Sequence, residues 1–98
     1  MNSLEHRNYF ESWQSKLREA FENREYLFAK EVLNKISLSD TLSAIQIENI
    51  STKYEADESR EIIKALVYDG YINNNDDPKI YRFNSPILRM WWYKNVAN

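Results

Sequence analysis

IIKALVYDGYINNNDDPKIYRFNSPILRMWWYKNV, residues 62–96, is the stretch on which the fold turns. Ile62, Ile63, Leu66 and Val67 recur at steps of three and four, which predicts a helix that buries this set. Gly70 stands where a left-handed C-cap is wanted, because glycine has no Cβ to clash there. Tyr71-Ile72 opens a strand, Asn73 to Pro78 reads as a polar loop, and Lys79-Ile80-Tyr81-Arg82-Phe83 alternates as the returning strand. The product is a β-hairpin with a loop longer than the tight two-residue type. Ser85-Pro86 then starts a helix, a cap followed by proline at the first helical position. Its apolar residues do not form one narrow stripe: Leu88, Trp91 and Trp92 share a side, whereas Ile87, Met90 and Tyr93 cover another. A short helix apolar on nearly all sides must be enclosed by something.

Upstream, Glu55-Ala56-Asp57 turns the chain, and Asp57 is placed to cap the helix of Ile62. Leu42 to Tyr54 has two readings. Leu42, Ala44 and Ile45 suit a short strand pairing with the hairpin, whereas Ser43 suits the cap of a helix carrying Ile47, Ile50 and Tyr54. The helix, from about Ala44 to Lys53, is preferred. Leu38-Ser39-Asp40-Thr41 is turn chemistry. Before it, Asn23 caps a helix over Arg24–Ser37, with Glu25 near its N-terminal dipole. The stripe there is Phe28, Ala29, Val32, Leu33 and Ile36, widened by Tyr26 and Leu27. Met1 to Glu22 reads as an amphipathic helix with Tyr9, Phe10, Trp13, Leu17, Ala20 and Phe21 on one side. One continuous helix through Asn23 is the competing reading. Residues 1–22 are therefore set apart as a packed or linking helix, and residues 23–98 as the domain.

Ninety-eight residues make one domain and bury roughly two-thirds of the unfolded surface. Cysteine is absent, which excludes disulfides and thiolate metal sites. No apolar run approaches the ~18 residues of a membrane span and no signal-peptide pattern opens the chain, so a cytoplasmic setting without membrane contact is expected. Thirteen Lys and Arg against fifteen Asp and Glu leave a formal charge of −2, which gives no general attraction to polyanions. His6, the only histidine, lies off the apolar stripe and reads as solvated. Asn49-Ile50-Ser51 matches a glycosylation sequon by chance.

Helix, short helix, turn, helix and hairpin is the order of a winged helix-turn-helix. The expected fold is thus mainly α with a small β-hairpin, extended by an N-terminal helix and an aromatic C-terminal helix. Asp69-Gly70-Tyr71-Ile72, followed by Tyr81-Arg82-Phe83-Asn84-Ser85-Pro86-Ile87-Leu88-Arg89-Met90-Trp91-Trp92, resembles the C-terminal winged-helix region of archaeal-type P-loop ATPases. These are AAA+/STAND-like proteins with relatives in Bacteroidetes, and the likeness covers about Arg24 to Val96. It implies a parent chain with an ATPase domain that uses ATP and Mg. No G-x-x-x-x-G-K-[ST] fits a chain with one glycine, so this piece is expected to hold no cofactor and to catalyse nothing alone.

Three functions follow as candidates. The first is a regulatory or interaction module that packs on the parent ATPase domain, on another copy or on a protein partner. Its candidate contacts are Tyr9, Phe10, Trp13, Met90, Trp91, Trp92 and Tyr93, surplus apolar residues for one small domain. The second is DNA binding, with Arg60, Lys64, Lys79, Arg82, Arg89 and Lys94 as the cations available. The helix that would read bases weighs against it, because Asp57, Glu58, Glu61 and Asp69 outnumber Arg60 and Lys64, and Asp76 and Asp77 flank Lys79. Phosphate contacts need clustered Lys and Arg. The third, an enzyme, is weakest: pairs such as Asp57/Glu61 and Asp76/Asp77 read as solvated surface.

Overall fold

The computed structural model describes residues 23–56 and 58–97. The expected helix over 1–22, with Tyr9, Phe10 and Trp13, and the cap at Asp57 lie outside the described residues. The first element, α1 (Asn23–Ser39), runs through the middle of the core. Phe28, Ala29, Val32, Leu33 and Ile36 are all fully buried along it, as their helical spacing predicts. Tyr26 joins them, whereas Leu27 is partly exposed. The helix ends where Asp40 turns left-handed at φ 73°.

The preferred helix is present from Ala44, and the strand reading holds only at Leu42, since Ala44 and Ile45 are helical. Leu42–Ser43 forms a two-residue strand, β1, with Leu42 opposite Tyr81 and Ser43 opposite Ile80. Ser43 is also the N-cap of α2 (Ala44–Tyr54), accepting from Gln46 N–H while Gln46 Oε1 accepts from the Ser43 backbone N–H. Ile47 and Ile50 are its buried residues, and Glu55 closes it in the left-handed region.

The following helix, α3 (Ser59–Tyr68), buries Ile62, Ile63 and Leu66. Val67, expected among them, is instead 36% exposed. At a step of four from Ile63 it sits beside Arg60 and Lys64, on the flank that α1 does not cover. Gly70, at φ 89°, ends the helix: its N–H donates to Val67 O, and Tyr71 N–H reaches back to Leu66 O. Buried Tyr71 and Leu66 supply the apolar contact that accompanies this cap.

The Asn-rich loop expected over 73–78 is mostly strand. β2 spans Ile72–Asp77, β3 spans Ile80–Phe83, and only Pro78 and Lys79 join them. The turn is short because side chains bond the backbone around it: Asn74 Nδ2 donates to Pro78 O, and Lys79 N–H donates to Asp77 Oδ1. The surplus residues are absorbed by an irregularity between the pairs Asn73–Arg82 and Asp77–Ile80. The antiparallel sheet has the order β1-β3-β2.

Ser85 caps α4 (Pro86–Trp92), which passes into a π-helical turn over Tyr93–Ala97. Leu88 and Trp92 face inward against α1 and the sheet and are fully enclosed. Among the described residues no helix is long and apolar enough to cross a membrane.

Candidate protein-docking surface

Helical geometry builds one surface on α3. Positions 60, 63, 64, 67 and 68 follow the i, i+3, i+4, i+7, i+8 pattern and share a face. That face forms one wall of a groove of about 730 Å³. Ala44, Ile45, Ile47 and Glu48 of α2 form the opposite wall, and Asn74 and Tyr81 of the hairpin close one side. The capping box at Ser43 fixes where α2 starts, so it also fixes Ile45 at the groove. Ile45 is 72% exposed and Tyr68 91% exposed. Single exposed apolar side chains are ordinary, but several meeting in one concave surface mark a place where something docks. The charged side chains of the lining are Arg60 and Lys64 against Glu48. Lys64 lies 3.6 Å from Glu61, both largely exposed, whereas Arg60 makes no ion pair among the described residues.

The aromatic candidates are separated by the fold. Trp92 is 1% exposed and belongs to the core, and Trp91 is half-buried against it. The two rings meet edge to face at 6.4 Å. Met90 and Tyr93 are exposed, with Ile87, on the outer side of α4. Of the described candidates, Met90 and Tyr93 thus stay exposed in a stripe with Ile87, whereas Trp92 does not.

The six cations are scattered by role. Arg60 and Lys64 line the groove. Lys79 is exposed in the hairpin turn, and Lys94 is exposed in the π-helical turn. Arg82 pairs with Asp76 at 3.1 Å across the hairpin. Arg89 donates through Nε to Ser37 O at 3.1 Å and lies 3.6 Å from Asp40, so it binds the C-terminal end of α1.

A second polar group sits at the other end of α2. Tyr54 Oη donates to Glu31 Oε1 at 2.7 Å, and Lys53 Nζ donates to the same oxygen at 2.9 Å. Burial pushes the Glu31 carboxyl upward, but these two donors outweigh it and hold it below the usual carboxylate range. The bond to Glu31 raises Lys53, and the same acceptor, helped by burial, raises Tyr54. Through these two bonds to Glu31, Tyr54 and Lys53 brace α2 against α1. Among the described residues no group of three His, Cys, Asp or Glu is arranged to hold a metal ion.

Sequence reasoning missed the groove. Periodicity places Val67 in the buried stripe and Tyr68, next to it, in none. The signal was the width of the apolar set on α3: Ile62, Ile63, Leu66, Val67 and Tyr68 span more of the helix than one buried face needs. No family model, curated protein or solved structure matches the chain.

Proposed function

We propose that the chain is a winged-helix regulatory or protein-interaction module, the C-terminal part of a cytoplasmic P-loop ATPase, with no catalysis of its own. The order α1-β1-α2-α3-β2-β3, with β1 paired to the return strand of the hairpin, supports the winged-helix reading. ATP and Mg belong to the parent, as the resemblance of residues 69–72 and 81–92 implies. The observation that carries the protein-binding role is the outward face of α3. In a helix-turn-helix protein this is the surface that enters the major groove. Here it presents Val67 and Tyr68 with only Arg60 and Lys64, beside Glu48 across the groove and Glu61 at 3.6 Å from Lys64. Phosphate neutralisation needs more free cations than that.

The second reading is a transcription-factor-like DNA-binding domain. It is favoured by the position of Arg60 and Lys64 on that same face. A gel shift at low salt decides. The expected outcome is no retardation of duplex DNA at micromolar protein; binding that falls steeply with added salt overturns the protein-binding role.

A further inference from the structure

We infer that the groove between α2, α3 and the hairpin receives an amphipathic helix of a partner protein whose apolar stripe is flanked by carboxylates. This rests on the protein-interaction reading and names the partner's chemistry. The groove follows the whole of α3, whose ten residues span about 15 Å, the length of nearly three helical turns. Its floor and walls offer Ile45, Ile63, Val67 and Tyr68, which suit side chains at i, i+3, i+4 and i+7 of a docked helix.

Charge selects the flank. In a chain of net charge −2, this groove is lined by two cations against one acid. Arg60 and Lys64 stand one turn apart on one rim, so carboxylates one turn apart on the incoming helix meet both. The Lys64–Glu61 contact is between exposed groups and is easily exchanged.

The other sheet-based mode of peptide capture is disfavoured by the hairpin. Of the two edge strands, β1 is only two residues long, and the outer half of β2 carries Asn75, Asp76 and Asp77 with a break in register. Irregular, acidic edges discourage an added strand.

The test titrates the isotope-labelled full chain with two synthetic helical peptides. One has Leu at i, i+3, i+4 and i+7 with flanking Glu; the other has Lys in place of every Glu. The acidic peptide is expected to shift the amide signals of Ile45, Lys64 and Tyr68 and to bind about tenfold more tightly than its Lys counterpart at low salt. The Arg60→Glu/Lys64→Glu variant, altered only at exposed positions, is expected to reverse that order with an unchanged circular dichroism spectrum. Equal affinity for both peptides, shifts confined to Ile87, Met90 and Tyr93, or no binding overturns the inference. So do groove signals that move with protein concentration alone, which assign the groove to a second copy. If both peptides and duplex DNA are ignored, the groove assignment fails and the wider protein-binding reading stands. Salt-sensitive DNA retardation overturns both.

Discussion

The indole Nε1 of Trp92 donates a 2.7 Å hydrogen bond to Asn34 Oδ1, joining the last helix to the middle of α1 across 58 positions of sequence. Around the same ring, Tyr71 packs edge-on at 6.5 Å and Phe83 lies at 6.4 Å. A buried tryptophan needs a partner for its N–H, and Asn34 is the one that faces it. Trp92→Ala is expected to cost about 3–5 kcal/mol through the cavity it leaves. Asn34→Ala, which strands the indole donor, is expected to cost about 1–3 kcal/mol. Urea denaturation of both variants measures the two values, and a Trp92→Ala midpoint near wild type would contradict the core assignment.

Gly70 separates backbone conformation from packing. A Cβ built there meets only Asn84 Nδ2, at 4.0 Å, so a methyl group has room. The backbone at φ 89° remains unfavourable for any L residue. Gly70→Ala is therefore expected to destabilise by about 1–2 kcal/mol. D-alanine at the same position, introduced by chemical synthesis, is expected to be tolerated. A loss with both enantiomers would point to crowding instead of conformation.

Much of this frame was legible where one local force acts alone. Gly70 ends a helix, Ser85-Pro86 starts one, and Phe28 to Ile36 bury a face, because each follows from sterics or periodicity within a few residues. Ser43 was harder, since it serves a strand and a cap together, and a sequence reading asks it to choose. The hairpin is expected but its loop reads too long, because Asn and Asp disfavour strands by propensity, whereas their side chains here bond the turn that makes the strand possible. The wide apolar set on α3 signals a second face, but where the groove lies depends on how α2 and the hairpin pack beside it, a tertiary fact.

The Glu31 cluster gives a pH dependence whose sign follows from its three partners. Glu31 is lowered from its ordinary 4.5, so its contribution is present above that pH and is lost as pH falls through the lower folded value. Tyr54 and Lys53 are raised from 10.0 and 10.5, so theirs is present below those values and is lost as pH rises through the folded ones. Stability from this cluster is therefore expected to be flat from about pH 5 to about pH 10 and to fall on both sides. Tyr54→Phe is expected to cost about 1 kcal/mol at neutral pH and to shallow both limbs. Glu31→Gln should remove the acid limb belonging to this site. Thermal melts across pH read both effects, and an unchanged acid limb in Glu31→Gln would show that other carboxylates set it.

Arg89 and Arg60 were both candidate phosphate contacts, yet they differ in what they hold. Arg89 donates to the carbonyl of Ser37, a residue 2% exposed, and so satisfies one of the acceptors at the C-terminal end of α1. Its pair with Asp40 adds little, since the aspartate is mostly exposed. Arg89→Met, which keeps the apolar stem, is expected to lose about 1 kcal/mol through the carbonyl bond alone. Arg60 touches no acid among the described residues, and Arg60→Met is expected to change stability by less than about 0.5 kcal/mol. Denaturant midpoints of the two variants make the comparison. Equal losses would mean that Arg60 is also part of the scaffold, and the groove rim would then have only Lys64 to meet a partner.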